Sequence, residues 1–372
     1  MQKKLLLKDV IYAVKLSVTL ICCWPLKRDA TKFQIFCMKL YHYFCIVMTA
    51  CLAVPMTYAV ICSLNDPFNT VQITILTSAL YHTMANFIFY KINYHCIQKV
   101  TLEMVHFNNV MKPQEEIVIQ RYIDKYLLLY GASLTTFYTM TAVTVFIPAV
   151  TKQPFPAQAK YPFDVSYQPL KAIIYVQQSV VGFFVSGQLC INIYMALLIW
   201  FTAARFDILI EELKTATNVY ALCKCIKTHQ ELLKYAAEVS IAARPFAFIS
   251  ICCSTVTSIT IFLVLMTKPP LPVLLHLCGL FTTGIVEVFM YTWPAEILMR
   301  TNFEVGELAF NLLESHASKI WRRLQFIIMR CQKPVIISIP GLLPALSFNY
   351  FATYLSTILS YFTTLRVMMD DE

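Results

Sequence analysis

Charged residues and glycine are both scarce in this sequence of 372 residues. Only 14% of the residues are Asp, Glu, Lys or Arg, and 7 are glycine, whereas 58% are hydrophobic. The mean hydropathy is +0.61. A single soluble core could not bury so much apolar surface. The composition therefore excludes an ordinary soluble domain and indicates a membrane protein.

Motifs for catalysis, metals and cofactors are also missing. The sequence has no GxxxxGK[ST], HExxH or GxSxG, and its 7 histidines lack the spacing of metal ligands. Cys223, Cys225 and His229 form one compact group, but a zinc site needs a further ligand pair. We therefore expect no enzyme activity, no metal site and no cofactor.

Disulfides are not expected, although the chain has 14 cysteines. Nearly all of them fall in apolar runs or in segments assigned below to the cytoplasm, and Cys62 is the exception at an outer end. A disulfide framework needs pairs of cysteines on the oxidising side of the membrane.

Long uncharged runs account for most of the chain, and each exceeds the ~20 residues that span hydrocarbon as a helix. Transmembrane β-strands would instead be alternating segments of ~10 residues. The pattern predicts an all-α, polytopic membrane protein with seven transmembrane helices. The runs are residues 40–65, 67–90, 126–151, 172–204, 245–267 and 334–365, and a seventh from 269 to 293 that contains Glu287.

Basic residues predict the orientation, because Lys and Arg concentrate in cytoplasmic segments. Of the 30 Lys and Arg residues, 25 lie in residues 1–39, 91–125, 205–244 and 299–333, and only 5 lie in the alternate segments. This places the N-terminus in the cytoplasm and the C-terminus outside, opposite to a G-protein-coupled receptor. The net charge of +9 then belongs mainly to cytoplasmic flanks, and we expect no nucleic-acid partner.

The segments between the runs carry further signals. Residues 1–32 predict a short helix at the inner membrane surface, and Pro113 predicts a break between two helices in residues 91–125. Residues 205–244 and 299–333 have apolar positions at helical spacing and predict an intracellular helical bundle. The loop at residues 151–169, with four prolines, either folds back as a lid or is a plain connector.

Glu287 is the only carboxylate inside a predicted span. Facing lipid would cost ~2.5–3.5 kcal/mol, so it should face protein or water. At ~1.5 Å per residue from residue 270, it falls near the cytoplasmic boundary. This position favours a hydrogen-bonded carboxylate at the interface over an ion pathway, and one acid is too few for an ion-coupled transporter.

The last run carries its polar residues on one helical face. With Thr353 at 0°, Asn349, Thr357, Ser360 and Thr364 lie within about 40°, and the aromatic and aliphatic residues lie opposite. Such a face either hydrogen-bonds to another helix or lines water. We favour a water-filled path, because channel walls need uncharged polar groups. One helix per chain would then require several copies around an axis.

The end of the chain contains three distinctive motifs, SYFTTLR at 360–366, PALSFNYF at 344–351 and QKP at 332–334, and weaker ones are CIKTHQ at 225–230 and YTWP at 291–294. With these motifs the chain resembles insect odorant receptors, and its end resembles their final helix. The resemblance implies a subunit of a heterotetrameric, odorant-gated, non-selective cation channel that assembles with the family's co-receptor. The chain lacks the co-receptor's long cytoplasmic insertion and so resembles the odorant-tuning subunit.

The resemblance also implies a division of the chain. Residues 1–32 form a cytoplasmic segment with an interfacial helix, 33–298 the transmembrane bundle, 299–342 a cytoplasmic anchor helix, 343–366 the pore-lining helix and 367–372 an extracellular tail. The expected location is the plasma membrane of a sensory neuron dendrite, surrounded by membrane lipid. The pore-lining residues for permeant cations are predicted to be Asn349, Thr353, Thr357, Ser360, Tyr361, Thr364 and Leu365.

Odorants are expected to be small, volatile or semi-volatile, and bound in the outer half of the bundle. Candidate contacts, chosen by depth and side-chain type, are Tyr81, His82, Tyr138, Thr141, Tyr175, Gln178, Phe183, Phe184 and His276. For each of them, ordinary helix packing is the alternative. Alternatives for the whole chain are a gustatory receptor channel, whose TYxxxxxQF ending is absent, and a metabotropic receptor or transporter.

Overall fold

The computed structural model describes residues 5–151, 154–265, 271–315, 321–333, 335–339 and 341–370. These residues are largely α-helical, and their one extended pairing is a bridge between Ile339 and Leu343. The prediction of an all-α fold is therefore confirmed. The helices are α1 Leu7–Thr19, α2 Lys32–Cys62, α3 Pro67–Ile92, α4 Tyr94–Val110, α5 Pro113–Thr151, α6 Gln168–Lys214, α7 Val219–Leu265, α8 Leu271–Ser315, α9 Trp321–Cys331 and α10 Phe348–Asp370.

Helix α6 is the centre of the bundle. Every residue from 190 to 204 is buried, and the helix packs against α1, α2, α3, α4, α5, α7 and α8. A helix that is apolar on all sides is expected in a core. Helix α10, in contrast, packs against α7 and α8 and leaves one side uncovered.

Three of the described helices, α2, α6 and α7, are long and apolar enough to cross a membrane. The other predicted spans lie on α3, α5, α8 and α10, which have 26, 39, 45 and 23 residues. Their length allows a crossing at ~1.5 Å per residue. The number of seven spans stays a prediction.

The predicted helices near the N-terminus and around Pro113 are confirmed. Helix α1 buries Leu7, Ile11, Val14 and Val18, which recur at helical spacing and face the bundle. Helix α4 ends at Val110 and α5 begins at Pro113, where a proline without an N–H fits the first turn.

The helical segment predicted over residues 205–244 is divided between two helices. Helix α6 ends at Lys214 and α7 begins at Val219. The hydroxyl of Thr215 donates to the Glu212 carbonyl at 3.0 Å, and Asn218 Oδ1 accepts from the Ala221 N–H at 2.7 Å. Such local side-chain bonds to the backbone end one helix and cap the next.

The last helix begins later than the predicted boundary at residue 343. Residues 341–347 form a turn in which Gly341 has a φ of +77°, a conformation that glycine adopts without steric cost. Helix α10 then begins at Phe348, whose N–H donates to Glu296 Oε2 of α8 at 3.0 Å. This bond fixes the start of α10 to α8.

Candidate functional site

The loop between α5 and α6 folds back onto the bundle. Phe155 and Ala157 are buried, the Ala157 N–H donates to Gln178 Oε1 at 2.8 Å, and the Lys160 N–H donates to the Pro55 carbonyl at 3.3 Å. Pro55 lies within α2, and Gln178 lies on α6. Of the two alternatives for this loop, the described part has the folded-back arrangement.

A cavity of about 530 Å³ lies beneath this loop, between α3, α6, α7 and α8. Its volume is within the ~300–1,000 Å³ of small-molecule sites. Residues 156–158 of the loop form part of its lining. Its aliphatic walls include Ile73, Leu76, Val185, Leu189 and Leu280.

Three polar side chains form what we call the cavity floor: His82, Gln188 and Glu287. All three are buried, with exposed fractions of 3%, 1% and 5%. The Gln188 amide nitrogen donates to His82 Nε2 at 3.1 Å. Most polar groups buried this deeply are hydrogen-bonded inside the protein.

Asn192 connects the floor to the surrounding helices. Its amide nitrogen donates to Glu287 Oε1 at 2.9 Å, and its Oδ1 accepts from the Tyr291 hydroxyl at 2.8 Å and from the Ser250 hydroxyl at 3.3 Å. The same Ser250 hydroxyl lies 3.3 Å from His82 Nε2. One buried network thus joins α3, α6, α7 and α8.

Glu287 faces the protein interior, as its cost in lipid requires. It is buried in the cavity floor, where the Asn192 amide of α6 donates a hydrogen bond to it. The expected hydrogen-bonded carboxylate is therefore present, whereas its depth at the membrane interface stays a prediction.

The cavity wall is hydrogen-bonded to α10. Ser254 lines the cavity, and its hydroxyl accepts from the Tyr354 hydroxyl of α10 at 2.8 Å. Gly284 packs so closely behind Ser254 that a Cβ there would lie 2.8 Å from Ser254 Oγ. A displacement of α8 toward α7 at this point would therefore press on Ser254 and on its bond to α10.

The polar stripe of α10 (Asn349, Thr353, Thr357, Ser360 and Thr364) is exposed along its whole length. Thr353, Thr357 and Thr364 donate their hydroxyls to carbonyls four residues earlier in the same helix, at 2.9, 2.8 and 2.9 Å. Their hydroxyls are therefore satisfied without a second helix.

The other two pore-lining candidates are Tyr361 and Leu365. Tyr361 is 47% exposed, and the side chain of Leu365 lies outside the described part of the chain. Tyr354, Ile358 and Phe362 pack on the opposite side, where Phe362 contacts Phe262 of α7 with ring centroids 4.9 Å apart. The predicted division of α10 into two faces is confirmed, whereas lining of a pore stays a prediction.

Of the nine candidate odorant contacts, the structure brings only His82 to this cavity among those whose side chains it describes. Tyr81 is half-exposed, with its hydroxyl 3.0 Å from Thr57 Oγ1. The Tyr175 hydroxyl donates to the Val145 carbonyl at 2.6 Å. The aromatic walls expected from composition are aliphatic here.

The other candidates also make packing contacts. Tyr138 hydrogen-bonds to the Ser17 carbonyl, and Thr141 to the Ser186 hydroxyl. Gln178 accepts a hydrogen bond from the Ala157 N–H of the α5–α6 loop. Phe184 is buried against Phe87, Phe183 is half-buried, and the side chain of His276 lies outside the described residues. Their contact with an odorant stays a prediction.

Sequence reasoning missed Gln188 and Asn192, although a signal was present. Both interrupt the uncharged run at residues 172–204 with an amide, and they are four residues apart. Residues at i and i+4 share a helical face, and polar residues inside a span usually face the protein interior. This spacing could have placed them beside Glu287.

The group around His229 differs from the sequence pattern. Cys223 is exposed, and the neighbour of His229 Nε2 is Cys331 Sγ of α9 at 3.5 Å. Burial raises the pKa of the Cys331 thiol to about 11, so it stays protonated. Within the described residues no three His, Cys, Asp or Glu side chains are placed to hold a metal ion.

Comparison with known proteins gives a consistent result. The family model for the 7tm odorant receptor matches residues 63–359. The chain is 34% identical over 87 residues to putative odorant receptor 92a of Drosophila melanogaster, a match covering 23% of this chain and 21% of that protein. It is 29% identical over 102 residues to odorant receptor 67c of the same species, a match covering 27% of this chain and 25% of that protein. These matches span about a quarter or less of the relatives.

Solved structures share the whole fold at low sequence identity. The olfactory receptor OR5 from Machilis hrabei is 15% identical, with a TM-score of 0.76 over 96% of this chain and 98% of that one. The structure of that receptor in complex with eugenol gives a TM-score of 0.78 over 97% of this chain and 98% of that one, also at 15% identity.

Proposed function

The chain belongs to the insect odorant receptor family, and we propose that it is the odorant-tuning subunit of a heteromeric, ligand-gated, non-selective cation channel. As a member of that family it is a multi-pass membrane protein and not an enzyme. We place seven helices across the plasma membrane of a sensory neuron dendrite, with the N-terminus inside and the C-terminus outside. Its partner is the family's co-receptor, and the subunits form a tetramer.

The two faces of α10 carry this proposal. One face packs on α7 and α8, whereas the polar stripe is exposed and turned away from its own subunit. A row of hydroxyls facing lipid would gain nothing from its polarity, whereas the same row around a central axis offers cations weak, uncharged contacts. Symmetric assembly would bring α10 of each subunit to that axis, and Na⁺, K⁺ and Ca²⁺ would pass between them.

The cavity under the α5–α6 loop is the proposed odorant site. Its volume and aliphatic walls suit a small, mostly apolar molecule, whose binding is dominated by burial of apolar surface. A receptor of the same fold has been solved in complex with eugenol, which supports a small organic molecule as the ligand.

The bond between Tyr354 and Ser254 supports a direct route from this site to the pore. Ser254 belongs to the cavity wall and Tyr354 to α10, so an odorant that shifts α7 or α8 changes the position of α10 without a second messenger. A ligand opens such a channel when it binds the open arrangement more tightly than the closed one.

The decisive experiment records odorant-evoked current in cells that express this chain with the co-receptor. A broad odorant panel is applied before and after blockade of G proteins, and an epitope at the C-terminus is labelled on intact cells. We expect current that persists under blockade and a C-terminal epitope accessible from outside. Current abolished by blockade, or an epitope reached only after permeabilisation, would contradict the proposal.

A further inference from the structure

The cavity floor contains a hydrogen-bond acceptor that has no donor in the described part of the chain. Gln188 Oε1 is fully buried, and no described residue donates a hydrogen bond to it. The amide nitrogen of the same residue is occupied by His82 Nε2, which fixes the amide with its oxygen free. An unpartnered buried oxygen costs ~1–3 kcal/mol. A donor supplied by a ligand would recover that cost.

Glu287 adds a second acceptor, and a cation bound beside it would favour its ionised form. Its one recorded hydrogen bond is from the Asn192 amide to Oε1. None of the ion pairs formed by the described residues includes it. An ionised carboxylate buried without a counter-charge is costly, so a cation entering the cavity would be strongly favoured beside it.

The rest of the lining is largely apolar. Ile73, Leu76, Val185 and Leu280 offer apolar contact, beside the uncharged polar side chains of Gln72, Thr257 and Thr283. A ligand that fits this lining has an apolar body and one polar end that donates hydrogen bonds. A carboxylic acid would bring a second negative group to Glu287 and is disfavoured.

We propose that the cavity selects small odorants with a hydrogen-bond-donating end, with primary amines bound best, alcohols next and donor-free hydrocarbons least. The donor end lies between Gln188 and Glu287, and the apolar body lies against the aliphatic walls. This inference rests on the proposed odorant receptor function and names the ligand class of that site.

The first test uses four probes that share a phenyl ring and a short chain but differ in the terminal group. They are 2-phenylethylamine, 2-phenylethanol, propylbenzene and 3-phenylpropanoic acid, applied to cells expressing the chain with the co-receptor. Half-maximal concentrations are compared as free aqueous concentrations. We expect the amine to act at a concentration about ten- to a hundredfold below that of propylbenzene, as a charge-assisted hydrogen bond implies, and the acid to be inactive.

The second test changes the acceptors. Glu287→Gln keeps the shape and the Asn192 contact but removes the charge, and should weaken the amine at least about tenfold while shifting the alcohol and propylbenzene about threefold or less. Gln188→Met should weaken both the amine and the alcohol. Glu307→Gln is the matched control, because it removes one carboxylate from an exposed position of the same helix and should change none of them.

The outcomes separate this inference from the proposed function. A chain that gives no current with any odorant of a broad panel contradicts the receptor function itself. A chain that responds to other odorants but does not prefer the amine contradicts the ligand class alone, as does an equal shift for all active probes in Glu287→Gln. If Glu287→Gln does not reach the cell surface, the order of the half-maximal concentrations of the four probes on the wild-type chain tests the ligand class.

Discussion

The cavity floor and the polar stripe of α10 place polar groups in the same apolar bundle, but they satisfy them in different ways. In the stripe, Thr353 and Thr357 donate to carbonyls of their own helix and stay exposed. At the floor, Glu287 and Asn192 are buried and depend on side chains of other helices. The hydrogen bonds of the stripe are therefore made within one helix, whereas those of the floor join different helices.

This difference predicts unequal tolerance to substitution. Removing one member of a buried network leaves its partners desolvated and unpaired, which costs more than the lost bond itself. Removing a polar group from an exposed helix face leaves nothing unpaired. The same chemical change should therefore destabilise the floor network much more than the stripe.

The largest effect is expected for Asn192→Leu compared with Asn349→Leu. Asn192 is fully buried and bonds to Glu287, Tyr291 and Ser250, and its loss should destabilise the fold by about 3 kcal/mol, since two or more partners become unpaired. Asn349 is exposed, and its replacement should change stability by no more than about 0.5 kcal/mol.

The measurement is the thermal midpoint of the detergent-solubilised protein, followed by size-exclusion fluorescence, together with surface expression. Asn192→Leu should lower both, whereas Asn349→Leu should match the wild type in both. Equal midpoints for the two variants would show that the floor network does not stabilise the fold.

The contrast also explains what the sequence could predict. The stripe follows from periodicity within one helix, so Thr353, Thr357 and Ser360 could be placed on one face without any knowledge of the partner helices. The start of α10 at Phe348 could not be predicted, because Glu296 of another helix fixes it.

The residues of the candidate site were harder to predict from the sequence than the fold. The floor joins α3, α6 and α8, and no local pattern aligns His82 with Gln188 and Glu287. Aromatic type and depth selected Tyr175, whose hydroxyl serves helix packing.

An intermediate effect is expected for a charge placed on the stripe. Thr357→Lys should reduce odorant-evoked cation current about tenfold or more, because a fixed positive charge in a narrow path repels cations. Thr357→Val is the control: it keeps the shape and removes only a hydroxyl that bonds to its own helix, so the current should persist. Single-channel conductance and surface labelling check both variants. Unchanged conductance and ion selectivity in Thr357→Lys, with normal assembly, would count against pore lining.

The smallest effect is expected where the two regions meet. Tyr354→Phe removes the hydrogen bond to Ser254, worth about 1 kcal/mol. This should raise the half-maximal odorant concentration about fivefold. Single-channel conductance should stay unchanged, because Tyr354 faces α7 and not the polar stripe. Tyr350→Phe, one turn earlier, is the matched control, since the Tyr350 hydroxyl makes no hydrogen bond among the described residues. An equal shift in both variants would indicate general loosening of α10. A shift in Tyr354→Phe alone would identify this bond as a link between odorant site and pore, since it then transmits binding without shaping conduction.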